Sequence, residues 1–298
     1  MKEEMYDIAI IGAGPAGMTA AIYAGRAGKR TALIDKDGFG GQIAKSPKVE
    51  NIPGFLSISG IGFAEKMYEQ ATAQPTVEHI LEEVKLIRYC RGLFTVYFTD
   101  GSFICAKSVI LAVGCEPKEL KLDTPNVYYC VTCDGPFFKK ENVLVIGSGN
   151  TGAAFALELA AYCKRVYLCD MKMELRCEAA TAEKIKNSKK ITFLPNCHVK
   201  SVRNGVDGNL EYATMSTGSE LPVKAIFVAA GMTPKTAVAS GLAKTDASGY
   251  IIADGCKTSA IPGLFAAGDC RQKNVRQVAT AVSDGAIAAL AAVDFLDK

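Results

Sequence analysis

The sequence predicts an α/β fold made from two copies of one strand–turn–helix–strand unit, the second copy inserted into the first. Three observations carry this reading. A short apolar strand runs into a glycine-rich turn and an alanine-rich helix twice, once at Gly12 and again at Gly147. In both copies an aspartate, Asp35 or Asp170, closes the next strand, and the interval from glycine to aspartate is the same. The final apolar strand and helix come after the second copy, which suits a return to the first. The expected domains are residues 1–114 with 244–298, and 115–243 between them.

The bulk properties agree with two ordinary domains. The chain has 298 residues, 49% of them hydrophobic, with 34 basic against 31 acidic side chains and a net charge of +3. Neither a strong charge nor a basic run interleaved with aromatics points to nucleic acid. The amino terminus passes from acidic residues straight into a short strand, so it reads neither as a signal peptide nor as a membrane span. No apolar run is expected to reach the roughly 18 residues a span needs. The expected location is the cytoplasm, in soluble form.

In chain order, Tyr6–Ile11 reads as a buried parallel strand. Gly12-Ala13-Gly14-Pro15-Ala16-Gly17 follows, then a helix to about Gly28 and a strand Arg30–Ile34 ending at Asp35. This is the full context of the dinucleotide fingerprint. Gly12 permits the tight turn, Gly14 lets a pyrophosphate approach the backbone, and Gly17 lets helix and strand pack closely. The helix N-terminus offers unpaired N–H groups to phosphate, and Asp35 can accept from a ribose. Gly40-Gly41-Gln42 and Val49–Gly54 read as loops. A helix near 60–73, strands near 78–90, 93–98 and 103–106, and a separate buried strand Ser108–Gly114 complete the first part.

The second copy runs through strand Asn142–Ile146, the turn Gly147-Ser148-Gly149-Asn150-Thr151-Gly152, a helix to about Tyr162, and strand Arg165–Cys169 before Asp170. A hairpin is expected over about 199–216, and Ala225–Gly231 mirrors the strand ending at Gly114. The tail gives a strand from Ile261 to Gly268-Asp269 and an alanine-rich helix from about Gln277 to Phe295.

Eleven cysteines in a chain of this length do not read as a disulfide scaffold. Cys90, Cys105, Cys115, Cys163, Cys169, Cys177 and Cys197 lie in or beside apolar segments and are expected to be small buried hydrophobes. Cys130-Val131-Thr132-Cys133 differs: it places two thiols one turn apart, with a carboxylate, Asp134, directly after. Zinc would want a second pair or suitably spaced histidines, and only His79 and His198 exist, so no metal is expected and the pair reads as a redox dithiol.

Taken in order, the Gly12–Gly17 motif, Gly40-Gly41-Gln42, Val49–Gly54, Cys130–Gly135, Gly147–Gly152, Gly268-Asp269 and Arg276-Gln277 resemble the low-molecular-weight thioredoxin reductases of the flavin-dependent disulfide oxidoreductases, over nearly the whole chain. The resemblance implies two Rossmann-like domains of three-layer ββα type. FAD would lie on the discontinuous domain, lined by Gly12, Gly14, Pro15, Ala16, Gly17, Asp35, Gly41, Gln42, Asn51, Gly114, Gly268, Asp269, Arg276, Gln277 and Val278. A pyridine nucleotide would lie on the inserted domain at Gly147, Gly149, Asn150, Thr151, Gly152, Asp170, Lys172, Arg176 and Gly231. Cys130 would attack the disulfide of thioredoxin or a similar small protein, Cys133 would sit nearest the flavin, and Asp134 would be the acid–base group. The family also implies a homodimer and a rotation of the inserted domain during turnover.

One departure bears on the electron donor. Members using NADPH carry His-Arg-Arg-x-x-x-Arg where this chain reads Asp170-Met171-Lys172-Met173-Glu174-Leu175-Arg176. A 2′-phosphate at ~4–5 Å from Asp170 would cost about 1–4 kcal/mol per phosphate charge, so NADH is favoured over NADPH. Gly152, where NADP-binding members often carry alanine, agrees; Lys172 and Arg176 oppose. Three other readings stay open: a ferredoxin-linked flavin thioredoxin reductase without pyridine nucleotide, a dithiol oxidase acting on a small molecule, and a flavin-binding regulator without turnover. The intact Gly147–Gly152 turn weighs against the first two, and the complete dithiol and acid against the third.

Overall fold

The β-branched, apolar runs of the sequence become the inner strands of two separate parallel sheets. The computed structural model describes residues 4–46, 49–229, 231–258 and 261–298, without the side chain of Cys133. The chain forms two compact units, Met1–Glu116 with Thr233–Lys298 and Pro117–Met232. Residues 233–243 thus belong to the first unit.

In the first unit, strands Leu264–Ala266, Phe103–Leu111, Met5–Ile11, Thr31–Ile34 and Val77–Ile80 lie side by side in parallel. The four inner ones are mostly apolar because helices cover one face and a second strand layer the other, while the edge strand Val77–Ile80 carries Glu78 and His79. Helices Pro15–Arg26, Gly60–Thr72 and Val278–Leu296 supply the first cover, with Met18, Ala20, Ala24 and Leu33 fully buried in that core. The antiparallel strands Val84–Cys90 and Leu93–Phe98 join the sheet through Phe103–Leu111 and bury Phe94 and Val96 on the opposite face. The expected strands 103–106 and 108–114 are one strand, Phe103–Leu111. Lys107, the single polar break between them, points outward and pairs with Asp7 at 2.8 Å without interrupting the ladder.

The second unit repeats the plan. Strands Ile191–Leu194, Arg165–Cys169, Asn142–Ile146, Ala225–Val228 and Val127–Tyr128 form its parallel sheet. Helices Asn150–Tyr162 and Ala179–Asn187 cover one face. A three-stranded antiparallel sheet, Val199–Asn204, Leu210–Met215 and Glu220–Pro222, covers the other. Ala230, inside the expected strand 225–231, lies outside the described residues; the strand itself is Ala225–Val228.

Three further sequence readings change, the first being Cys177, which is only half-buried. Cys90 is exposed, not buried, because it ends strand Val84–Cys90 just before a turn in which Arg91 takes φ +50°. Among the described residues, helix Val278–Leu296 is long and apolar enough to cross a membrane, with 19 residues and a mean hydropathy of 1.5. In the fold its alanines, Ala281, Ala288, Ala289 and Ala292, pack into the core of the first unit. It crosses helix Pro15–Arg26 so closely that a β-carbon on Gly285 would lie 2.2 Å from the Ala16 carbonyl oxygen.

That contact reverses a general rule. Gly→Ala inside a helix ordinarily stabilises by about 1 kcal/mol. Here Gly285→Ala is expected to destabilise by about 1–3 kcal/mol through overpacking, seen as a lower thermal midpoint. An unchanged or higher midpoint would show that the two helices can part at no cost.

Candidate functional site

In both units the parallel strands end at a glycine turn that opens a helix, and the sequence-predicted residues gather there. In the first, Gly12 takes φ +107°, and a β-carbon on it would lie 2.4 Å from the Ala112 carbonyl oxygen. Gly17 is held by the helix's approach to the turn, its would-be β-carbon only 1.8 Å from the Gly12 carbonyl oxygen. Gly14 has the opposite surroundings. It is the N-cap of helix Pro15–Arg26, lends no side-chain cap, and a β-carbon on it would meet nothing within 4 Å. With Pro15 at the first helical position, the backbone is laid bare where a helix start favours an anion. Asp35 lies beside this turn and accepts the Ala13 N–H at 2.8 Å and the Asp37 N–H at 3.0 Å. That uses two of roughly four lone-pair sites of a carboxylate.

Residues far apart in sequence meet the same turn. Gly41 lies against Gly14, a β-carbon on it falling 3.3 Å from the Gly14 Cα. Gln42 donates to the Cys115 carbonyl at 3.2 Å, just after Gly114 at φ +63°. Asn51 donates to the Gln277 side chain at 3.1 Å. Gly268 packs on Ala16, and Arg276 donates to the Asp269 carbonyl at 3.3 Å while its guanidinium stacks on Tyr250, 3.9 Å from the ring centre. Gln277 caps the last helix in a reciprocal pair with Thr280, so Val278 begins that helix beside the site.

The second unit repeats the glycine geometry and diverges at the aspartate. Gly147 takes φ +100°; the would-be β-carbon of Gly152 lies 1.7 Å from the Gly147 carbonyl oxygen; Gly149 is an uncapped N-cap with nothing within 4 Å. Asp170, however, is buried and accepts from four donors. Its Oδ2 accepts the Ser148 N–H at 2.7 Å, the Ser148 hydroxyl at 2.8 Å and Arg176 Nη2 at 3.0 Å, and its Oδ1 accepts the Lys172 N–H at 3.0 Å. Burial alone would raise its pKa, but these hydrogen bonds outweigh burial and hold the carboxyl below its ordinary value. The loop is latched further: the Arg176 N–H donates to the Ser148 carbonyl at 3.0 Å, and Asn150 accepts the Glu178 N–H at 2.9 Å. Sequence reasoning missed Ser148. The signal was present, because the glycine turn of the first unit has Ala13 at the matching place and therefore no hydroxyl for Asp35. Gly231 takes φ +109° and accepts the Lys118 N–H at 3.0 Å. For Thr151, the first-turn neighbour of Asn150, the side chain is exposed.

The dithiol stretch belongs to this second unit. Val131–Asp134 is a single helical turn, and Cys130, directly before it, is half-buried and disulfide-bonded. The side chain of Cys133 lies outside the described residues. The Asp134 N–H donates to the Cys130 carbonyl at 3.1 Å, and burial pushes the Asp134 carboxyl above its ordinary pKa. A carboxyl shifted that way holds its proton to higher pH than an ordinary aspartate, the direction a proton donor needs. Thr132, between the cysteines, donates to Glu158 at 3.3 Å. Gly135 proves to be a packing requirement as well as a turn residue. A β-carbon there would lie 2.2 Å from the Tyr162 hydroxyl, a buried group without a hydrogen-bond partner among the described residues, whose pKa burial pushes up to about 12.

Comparison with known proteins places these features in context. The family model described as pyridine nucleotide-disulphide oxidoreductase matches residues 6–285. The chain is 38% identical to a thioredoxin reductase of Treponema pallidum, over 99% of this chain and 98% of that protein. It superposes on the structure of a Lactococcus lactis thioredoxin reductase with a TM-score of 0.92 at 33% identity, covering 98% of this chain and 99% of that one. A ferredoxin-flavin thioredoxin reductase from Clostridium acetobutylicum is a more distant match, with a TM-score of 0.55 at 28% identity, over 99% of this chain and 98% of that one.

The Gly135–Tyr162 contact yields a coupled test. Gly135→Ala is expected to lower thermal stability. In the Tyr162→Phe background the same change should cost less, since the nearest aromatic atom then stands at 3.3 Å. Equal losses in both backgrounds would show that the hydroxyl is not the obstacle.

Proposed function

The chain belongs to the pyridine nucleotide-disulphide oxidoreductase family, and from that premise we propose that it is an FAD-dependent thioredoxin reductase in which NADH is the preferred electron source. The observation that carries the reading is the siting of Cys130–Asp134 on a unit that also keeps an intact nucleotide turn at Gly147–Gly152. Full-length likeness to thioredoxin reductases supports the activity, and the greater distance of the ferredoxin-linked structure argues for a pyridine nucleotide.

The residues of the first unit fit FAD. The bare backbone at Gly14 suits the pyrophosphate, and Asp35 keeps acceptor capacity for the ribose hydroxyls. Gly41, Gln42, Asn51, Gly114, Asp269, Arg276 and Gln277 would hold the remainder. FAD held by these residues would supply two-electron transfer between a reduced nicotinamide and the dithiol. The chain's own groups then act on the protein substrate. The Cys130 thiolate attacks the substrate disulfide, forming a mixed disulfide and expelling one substrate thiolate, which Asp134 protonates. Attack by the Cys133 thiolate on the Cys130 sulfur restores the internal disulfide and expels the second substrate thiolate. Two electrons leave the enzyme and one disulfide is reduced. The same reading carries a cytoplasmic homodimer.

For the second nucleotide, Asp170 and Met171 replace groups that would welcome a 2′-phosphate, and Arg176, the surviving arginine, is tied to Asp170. With four donors already on it, three of them on Oδ2, Asp170 works less by binding ribose itself than by holding Arg176 and keeping a fixed negative charge at the loop.

Anaerobic mixing with NADH, NADPH or reduced ferredoxin, followed at the flavin absorbance, tests the proposal. NADH is expected to bleach the flavin at roughly tenfold lower concentration than NADPH, about 1.4 kcal/mol of discrimination. Asp170→Asn should narrow that gap by freeing Arg176. Bleaching by ferredoxin alone would sink the reading. Separately, Cys130→Ser should abolish reduction of a thioredoxin disulfide while NADH still bleaches the flavin; loss of bleaching would contradict the role given to Cys130.

A further inference from the structure

Beneath the Gly268–Asp269 turn lies a buried group of charges that the chemistry above leaves unused. Asp284, on helix Val278–Leu296 and 8% exposed, accepts the Gly268 N–H at 3.0 Å, Arg271 Nη1 at 2.8 Å and Lys273 Nζ at 2.9 Å. The same Lys273 Nζ stands 3.6 Å from Asp269 Oδ1, an ion pair just beyond hydrogen-bond distance. That oxygen is shielded from water and, among the described residues, has no partner within hydrogen-bond distance. The Arg271 guanidinium also reaches the buried Cys256 sulfur at 3.0 Å and the Ala253 carbonyl at 3.2 Å. The last helix therefore grips the turn at both its backbone and its side chain.

We propose that Lys273 is a positioning residue for FAD: anchored by Asp284, it keeps the neighbouring Asp269 a charged, fixed hydrogen-bond acceptor for a hydroxyl of the cofactor. The inference rests on the FAD reading of this unit. Its physical basis is the cost of a half-buried carboxylate. Burial pushes the Asp269 carboxyl up, while the charges of Lys273 and Arg276 draw it back down and Asp284 opposes them. The thiols of Cys115 and Cys270 also face it; burial pushes both up, to about 11 and about 12, so they remain neutral around pH 7. Arg276 is already committed, to the Asp269 and Arg271 carbonyls and to the Tyr250 ring. Lys273 is thus the cation whose removal changes the charge state of Asp269 most directly. The network leaves Asp284 satisfied without it, through Arg271 and the Gly268 N–H, so the loss of Lys273 does not orphan a buried carboxylate.

The sign of the effect follows. Without Lys273, Asp269 takes up a proton at higher pH, and the acceptor is lost as pH falls through that raised value. The test measures FAD retained by the purified protein after desalting, from pH 5 to pH 9, with far-ultraviolet circular dichroism as a check on folding. In Lys273→Met, the pH at which half the FAD is lost is expected to rise by about one unit, the shift that removal of a nearby opposite charge produces. In Lys273→Arg, which keeps the charge, it should stay near that of the unsubstituted protein. A Lys273→Met profile identical to the unsubstituted one overturns the proposal, as does equal loss in both variants, which would assign Lys273 to packing. Failure of the unsubstituted protein to retain FAD at any pH overturns the cofactor reading together with this inference, and that outcome is distinct from the other two.

Discussion

One contact governs both units: the first turn of a helix lies on the end of the preceding strand with no space for a β-carbon. The would-be β-carbons of Gly17 and Gly152 fall 1.8 Å and 1.7 Å from the carbonyl oxygens of Gly12 and Gly147. Any side chain at either position would lift the helix from the sheet. The close approach brings a helix N-terminus over the strand ends and leaves Gly14 and Gly149 with bare backbone. From this follow the anion-accepting turn, the placing of an aspartate beside it at the next strand end, and the covered face that keeps the strands apolar.

The two copies show how one scaffold is adapted to different ends. Asp35 and Asp170 occupy equivalent places, and each accepts a backbone N–H from its own turn, Ala13 or Ser148. Replacing alanine by serine adds a hydroxyl donor, and the arginine six residues beyond Asp170 adds a cation. Asp35 accepts two donors from its own protein and Asp170 four, so the first keeps more acceptor capacity for a ligand. A motif can therefore be conserved in form while the chemistry offered to a ligand changes, and two side chains outside the glycine pattern decide it.

The repeat, its glycine turns and the helices Pro15–Arg26, Gly60–Thr72, Asn150–Tyr162 and Val278–Leu296 are legible in the sequence because they depend on local period and on a recurrent spacing, whereas helix Ala179–Asn187 is not, and Gly41, Asn51, Asp269 and Gln277 join one site only by the resemblance to a family. What was not legible depends on partners remote in the chain. The engagement of Asp170 needed Ser148 and Arg176 to be seen together in space. Asp284 sits in an alanine-rich helix whose pattern gives no sign of the Arg271, Lys273 and Gly268 gathered around it. The single strand Phe103–Leu111 was divided in the reading because Lys107 breaks its apolar run, yet a side chain facing outward costs a strand nothing. Cys90 was misplaced for the same reason: the apolar neighbours were real, but the turn after it sets which way the strand end faces.

That distinction among cysteines matters for a chain built around a dithiol. Eleven cysteines in one redox protein invite exchange among themselves, since the thiolate is the attacking species. Burial pushes Cys115, Cys163 and Cys256 up to about 11 and Cys169 and Cys270 up to about 12. A thiol at about 11 is thiolate at roughly one part in ten thousand near pH 7, against a few per cent for an exposed one. The apolar core thus does two things with one set of contacts. It uses cysteine as a small hydrophobe to fill space beside strands, and it removes those sulfurs from the chemistry. Cys130, half-buried at the start of a single helical turn and followed within four residues by a carboxyl held toward its protonated form, stands in the opposite environment. Selectivity for one dithiol among eleven cysteines is in this sense a property of the fold's packing as much as of the motif.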